Sequence, residues 1–394
     1  MNNPTAILDI GSSKVVCLIG ARSSHGGLEL YGSASAAHGG LRKGAFLDLE
    51  QLREGIEQVV QEAEKEARRN IKTLFIGMPC SLMDTSCNRI KLNYQEMHKF
   101  DEDDAQKLID SAIPLQKSPE KWDYLESYVE HYEIDGTVYR TEPFGILGKQ
   151  IMGVVTNSYV EKEFSKFLAE VLSQMNISIA AFVDSAYAQA DLLIPEKAEA
   201  EDDIIIDIGY YQTSLVVLRN RAPIYRTCLE IGGYQIASDI SYVLDIAPAA
   251  AEAIKRRHVF GLDYMGQHES YPMTDGGYKD CDYETIQNII EARTREIGDL
   301  LADEINRAPV NRDGNVSLYV TGGGVVMMRG GSEFLQNVLP MPIQKVSPVL
   351  PKRNSANYYS AYGVLEAGIE HEAQRRGRNW FSAIFRAIVE FFTK

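Results

Sequence analysis

Positive charge is scarce in this 394-residue chain: 40 Lys and Arg stand against 55 Asp and Glu, and the formal net charge of −15 argues against nucleic acid as the main partner. Cysteine is sparse too. Cys17, Cys80, Cys87, Cys228 and Cys281 are scattered, odd in number and contain no C-x-x-C pair, which removes a metal knuckle and suits a reducing cytoplasm. No signal-peptide pattern opens the chain, because Met1 to Thr5 runs straight into a strand-like stretch. Apolar content of 45% and charged content of 24% are ordinary globular values, and the length predicts two or more domains, since single cores stop growing at about 250–300 residues.

What the sequence does have in excess is aromatic weight at its end. In "RRGRNWFSAIFRAIVEFFTK" a helical wheel gathers Trp380, Phe381, Ile384, Phe385, Ile388, Phe391 and Phe392 into one arc of roughly 140°. Ser382, Arg386, Glu390, Thr393 and Lys394 take the opposite side. A helix from Asn379 would be about 24 Å long with a continuous polar face, too short to cross a bilayer but suited to lying in its interface. Arg375, Arg376, Arg378, Arg386 and Lys394 face only Glu390 there, which favours an anionic surface.

Two stretches repeat. "AILDIGSSKVVCLIG", Ala6 to Gly20, and "IIIDIGYYQTSLVVL", Ile204 to Leu218, each read as a strand ending in Asp, a turn and a second strand, so an internal duplication is predicted with one hairpin per half. In such a turn the backbone N–H groups can close on phosphate oxygens, while Asp9 or Asp207 holds a water of Mg²⁺. A third cluster, "LYVTGGGVVMMRG", places Gly322, Gly323 and Gly324 where a flat ring could rest. It has neither the spacing of a dinucleotide fingerprint nor a P-loop's Gly-Lys-Ser/Thr.

Together these motifs resemble the actin, heat-shock chaperone and sugar-kinase superfamily. Within it the chain resembles the FtsA family of bacterial cell-division proteins. "GLRKGAFLDLEQL", "EIGGYQIASDI", "AAAEAIKRRHVFG", "IIEARTREIGDLL" and "NYYSAYGVLEAG" are similar to that family's segments in the same order, and the terminal amphipathic helix matches its membrane anchor. The resemblance implies an α/β, actin-like fold of duplicated, ribonuclease H-like halves around a nucleotide cleft, with an FtsA-type 1C subdomain and a C-terminal amphipathic helix. On that pattern residues 1–81 form subdomain 1A, 82–157 an SHS2-like 1C, and 158–195 a return to 1A. Subdomain 2A takes 196–226 and 310–356 around 2B at 227–309, the last helix of 1A takes 357–374, and the linker and anchor take 375–394. Inside 1C, "DEDDAQKLIDSAI" reads as a helix opened by Asp101 to Asp104, followed by strands "YVEHYEI", "TVYRTEPF" and "KQIMGVVT".

The same resemblance implies ATP or ADP with Mg²⁺ at Asp9, Gly11, Ser12, Ser13, Lys14, Asp207, Gly209, Gly232, Gly233, Gly322, Gly323 and Gly324, with Asp9 and Asp207 reaching the metal through water. It implies an FtsZ C-terminal tail bound by 2B, lipid bound by the last helix, self-association into filaments, and later division proteins recruited through 1C, all at the cytoplasmic side of the membrane. The family's second turn is normally Asp-Ile-Gly-Gly-Gly-Thr-Thr. Here Tyr210, Tyr211 and Gln212 replace two glycines and a threonine, and tyrosine takes a positive φ only at a cost. Three outcomes stay open: nucleotide with the rings turned outward, a diphosphate without room for the last phosphoryl group, or a cleft kept for its shape. Lys14 reaches a phosphate or stays solvated. Asp184 and Gln189 read as helix-cap and helix-surface residues rather than a water-activating base, so the expectation is at most a weak ATPase and a scaffold. The alternatives are a PilM-like pilus scaffold and a chaperone or sugar-kinase ATPase of the same fold.

Overall fold

In a computed structural model the described residues are 4–24, 26–42, 44–116, 118–195, 201–346, 348, 350–351 and 355–374. The expected terminal amphipathic helix lies outside them. Among the described residues no helix is long and apolar enough to cross a membrane.

The duplication is visible in the sheets. The first half centres on strand Thr5–Ile10, whose six residues are all buried. It pairs antiparallel with Lys14–Arg22, which pairs antiparallel with Leu28–Ala37; on its other side Thr73–Met78 and then Ser178–Asp184 add in parallel. The second half repeats that order and sense around Asp202–Ile208: Thr213–Arg219 and Ala222–Leu229 antiparallel on one side, Val316–Thr321 and Ile343–Gln344 parallel on the other. Central strands buried on both faces read as unbroken apolar runs, which is why "AILDI" and "IIIDI" carry no alternation.

Helices cover each sheet through apolar stripes at helical spacing. Leu49–Ala67 starts where Asp48 accepts a hydrogen bond from the Gln51 N–H, buries Leu52, Ile56, Val59, Val60 and Ala63, and stops at Arg68 in the left-handed region. In the second half Tyr283–Arg307 is capped by Asp282 and buries Ile286, Ile290, Ile297, Leu301 and Ile305. The helix over residues 359–374 returns to the first half, where Tyr362, Val364 and Leu365 pack with Ile7, Leu18 and Phe75.

Between Thr73–Met78 and Ser178–Asp184 the chain inserts a four-stranded sheet in the order Met83–Lys99, Leu147–Glu161, Trp122–Ile134, Thr137–Tyr139. Helix Glu102–Ala112 packs on it through Leu108 and Ala112. Asp101 and Asp104 do more there than face a helix dipole: each accepts the other's backbone N–H, closing a capping box. The Asp135–Gly136 turn has positive φ at both residues, which suits a tight hairpin. A second such corner, Asn220–Arg221, ends a hairpin of the second half and touches the inserted sheet: Asn220 Nδ2 donates to the carbonyls of Glu130 and Arg140.

Candidate functional site

The two hairpin turns face each other across a cavity of about 710 Å³, within the range of small-molecule sites. It is lined by Asp9, Gly11, Ser12, Ser13 and Lys14 from the first turn and by Asp207, Gly209, Tyr210 and Tyr211 from the second; Gly323 lines it too. Of the residues expected at a nucleotide, Gly232, Gly233, Gly322 and Gly324 stand behind this wall rather than in it. Gly324 N–H donates to the Ile208 carbonyl at 2.7 Å and Gly233 N–H to the Gly209 carbonyl at 3.0 Å, so both buttress the second turn. Gly322, at φ +102°, has no room for a side chain, since a Cβ would stand 2.3 Å from Asp207 Oδ1.

The first turn is closed by Gly11 N–H donating to the Lys14 carbonyl at 2.9 Å. His38, missing from the sequence-based set, fastens it to the next loop. Its Nδ1 accepts the Gly40 N–H at 3.1 Å, so the ring proton sits on Nε2 and is donated to the Gly11 carbonyl at 3.0 Å. Burial lowers the His38 pKa, in keeping with that neutral tautomer. A signal existed in the sequence: His38-Gly39-Gly40 directly follows the third strand.

The two strand-terminal carboxylates are buried and differently partnered. Asp9 Oδ1 accepts from Ser185 Oγ at 2.8 Å and Ser360 Oγ at 3.1 Å, while Asp207 Oδ2 accepts from Gln189 Nε2 at 2.9 Å. Burial raises both pKa values, Asp9 to about 6, against the lowering effect of those donors and of Lys14. The two carboxylates facing one cavity make an oxygen donor set that fits a hydrated divalent cation, whose charge would relieve the cost of burying both acids.

Asp9 supplies a pH test. Its folded-state value, about 6, lies above the ordinary 3.8, so its contribution is fully present below about pH 4 and is lost as pH rises through 6. Asp9→Asn keeps an oxygen acceptor for both serines and removes the charge. The expected result is a protein about 1–3 kcal/mol more stable than the parent at pH 7.5, the gap closing towards pH 4.5. Urea unfolding at both pH values measures it, and a destabilised variant at pH 7.5 would count against a charged, strained Asp9.

Lys14 neither points at open solvent nor hangs free in the cleft. Its Nζ donates to the Asn357 carbonyl at 2.7 Å and lies 4.0 Å from the Tyr358 ring centroid. Lys255, also absent from the sequence-based set, is buried on the opposite wall with Glu252 and Arg256. Its Nζ lies 2.9 Å from Glu252 and 3.1 Å from the Gly233 carbonyl, and burial lowers its pKa. The i, i+3, i+4 spacing of Glu252, Lys255 and Arg256 on helix Pro248–Arg257 was the available signal.

The tyrosine turn adopts a conformation the sequence did not suggest. Neither Tyr210 nor Tyr211 has positive φ. Tyr211 crosses the cleft, its N–H 3.4 Å from Ser12 Oγ and its ring packed on Gly40, where a Cβ would stand 2.7 Å away. The Arg42 guanidinium lies 4.6 Å from the centroids of both Tyr211 and Tyr234, and Tyr210 packs edge-on to Tyr211 at 4.8 Å. An aromatic cluster thus joins the two halves beside the second hairpin turn. Asp184 does cap a helix, accepting from Tyr187 N–H, and it also pairs with Arg226; Gln189 is buried on Asp207 instead of lying on a helix surface.

Twin sheets of one topology closing on a cavity between two hairpin turns make up the actin-like fold. Solved structures agree: the PilM–PilN type IV pilus biogenesis complex matches with a TM-score of 0.63 at 18% identity, covering 93% of this chain and 98% of that one. MreB5 of Spiroplasma citri bound to ADP matches with a TM-score of 0.54 at 13% identity, covering 95% and 99%. In sequence the chain is similar to the FtsA cell-division proteins. The model of the family described as cell division protein FtsA matches residues 204–363. Cell division protein FtsA of Pseudomonas aeruginosa is 23% identical over 378 residues, 93% of this chain and 89% of the relative. FtsA of Neisseria meningitidis serogroup B is 25% identical, covering 93% and 90%, and FtsA of Enterococcus faecalis is 25% identical, covering 86% and 78%.

Proposed function

We propose that this chain is a cell-division scaffold that anchors FtsZ filaments to the cytoplasmic face of the membrane. The observation that carries the reading is the full-length relationship to FtsA proteins, 93% of the chain in the Pseudomonas aeruginosa match. The terminal residues Trp380, Phe381, Ile384, Phe385, Ile388, Phe391 and Phe392 supply the lipid-binding face. Residues 227–309 take the FtsZ tail, residues 82–157 receive later division proteins, and the chain self-associates into filaments whose many anchors make weak individual membrane contacts firm.

The cavity takes ATP or ADP. The Ser12 and Ser13 backbone lies at the phosphate end, Gly11 and Gly209 shape the two turns by closing on the Lys14 and Gln212 carbonyls, and Asp9 and Asp207 would hold Mg²⁺ through water. The metal would supply neutralisation of phosphate charge; the chain's own part is to orient the phosphates between the two turns, with Tyr211 restricting the space beside Ser12. Binding is atypical for that reason, and the output is assembly rather than a chemical product.

Each large tail side chain buried in lipid contributes about 1.5–3 kcal/mol before ordering costs. Removing residues 379–394 is therefore expected to lower liposome co-sedimentation by about 100-fold or more, with FtsZ-tail binding unchanged. A full-length protein that neither sediments with anionic liposomes nor binds the FtsZ tail would end the proposal. The structural likeness to the PilM–PilN complex favours a second reading, a pilus-type scaffold, in which a PilN-type peptide binds and the FtsZ tail does not.

A further inference from the structure

Five free cysteines are spread through the chain, and two of them come from opposite halves to one place. Cys80 begins the short turn Cys80–Leu82 just after strand Thr73–Met78 of the first half. Cys228 lies on strand Ala222–Leu229 of the second half. Both line the central cavity. Cys80 Sγ donates to the carbonyl of Thr227, the residue next to Cys228, at 3.8 Å, which sets the two cysteine side chains beside each other on the cavity wall. The Cys228 thiol donates to Gln212 Oε1 at 3.6 Å.

Their surroundings treat them unequally. Arg226 is two residues before Cys228 on the same strand and so shares its face. Its guanidinium is buried, Nε donates to Thr85 Oγ1 at 2.5 Å, one Nη pairs with Asp184, and the other, Nη1, has no hydrogen-bond partner among the described residues. That cation borders the Cys80 sulfur. The Cys228 donor and then Arg226 hold the Cys80 thiol below its usual range against the opposing effect of burial, while Cys228, giving its proton to Cys80, is pushed up. A thiol made easier to ionise by a neighbouring cation, beside a second thiol made harder to ionise, is the division of labour of an attacking and a resolving cysteine. Cys17 and Cys281 are buried away from the cavity, and burial raises the thiol pKa of both; Cys87 is exposed and also raised by burial.

We propose that Cys80 and Cys228 form a reversible peroxide-responsive dithiol that, when oxidised, ties the two halves together at the cavity wall. The Cys80 thiolate attacks one oxygen of hydrogen peroxide, giving a sulfenic acid and hydroxide, which takes up a proton as water. The Cys228 sulfur then attacks the Cys80 sulfur, its proton leaves with the departing hydroxyl as a second water, and a disulfide remains. Two thiols are oxidised by two electrons and one peroxide is reduced to two waters; a small dithiol reductant reverses it. The inference does not depend on nucleotide, FtsZ or lipid binding, so its failure and theirs are separable.

The test is peptide mapping of the full-length protein under non-reducing conditions after hydrogen peroxide. Cys80 and Cys87 fall in one tryptic peptide, Thr73 to Arg89, so the experiment uses Cys87→Ser; Cys228 falls in Thr227 to Lys255. The expected result is a cross-linked pair of these two peptides, loss of two titratable thiols per chain and recovery of both with dithiothreitol. Cys80→Ser should abolish the link and leave Cys228 unmodified at the same exposure. Cys228→Ser should stop the reaction at a Cys80 sulfenic acid that dimedone traps. In the parent chain, iodoacetamide should label Cys80 at least about tenfold faster than Cys87 at pH 7. Peroxide that leaves both thiols titratable, a link to any other cysteine, or Cys87 labelled first would overturn the proposal.

Discussion

Replacing Arg226 with alanine is expected to cost about 3–5 kcal/mol of folding stability, because one partner of a buried ion pair is left charged and unpaired. The pair joins strand Ala222–Leu229 of the second half to Asp184, the last residue of strand Ser178–Asp184 in the first; the side chains are 7% and 0% exposed. Arg226 Nε is tied as well to Thr85 on the inserted sheet, so three modules meet at one guanidinium. Asp184 also accepts the Tyr187 N–H that starts helix Ser185–Leu193. Asp184→Asn should therefore cost less than Arg226→Ala, keeping the cap and losing the charge. The double variant should be well short of additive, since removing both charges ends the desolvation penalty. Urea unfolding of the three variants decides it: additive losses, or an Arg226→Ala cost under about 1 kcal/mol, would place the pair among contacts of little energetic weight.

The second large effect concerns the turn Gly209–Gln212. Replacing Tyr210 and Tyr211 together by glycine is expected to raise affinity for a nucleoside triphosphate with Mg²⁺ about tenfold or more, roughly 1.4 kcal/mol per decade. The change removes a ring from the wall beside Ser12 and gives the turn glycine's backbone freedom, so that its N–H groups can turn towards a phosphate. It also empties the cluster that Arg42 organises with Tyr211 and Tyr234, so the same variant should unfold at lower urea. Calorimetric titration with ATP and ADP reads the first effect and chemical denaturation the second. If ATP binding weakens in a folded variant, the rings are stacking partners of the ligand and the steric argument is wrong.

Much of the architecture was legible because its signals are local and strong. "AILDIGSSKVVCLIG" and "IIIDIGYYQTSLVVL" became Thr5–Ile10 with Lys14–Arg22 and Asp202–Ile208 with Thr213–Arg219, since long apolar runs broken by Asp-Ile-Gly admit few conformations. The long strand Met83–Lys99 escaped notice. Its exposed positions include Arg89, Lys91, Asn93, Gln95, Glu96 and Lys99 among interspersed apolar residues, a composition that propensity assigns to loops as readily as to an exposed strand.

At the cavity, sequence motifs named the turns but not their partners. Lys14 on the Asn357 carbonyl and Gln189 on Asp207 are contacts fixed by how the two halves and the returning chain come together, and no spacing rule encodes them. The same holds for Tyr211, whose negative φ and contact with Gly40 depend on a loop from the other half. The terminal segment from residue 375, the feature that stood out most in the sequence, lies outside the described residues.

The hairpin corner at Asn220 has a mechanical corollary. Its amide holds two carbonyls of the inserted sheet, and Arg226, further along the next strand, holds Thr85 on another strand of that sheet. The second half therefore cannot pivot on the first without dragging the lateral module along or tearing these grips. Cleft angle and module orientation are thereby geared to each other.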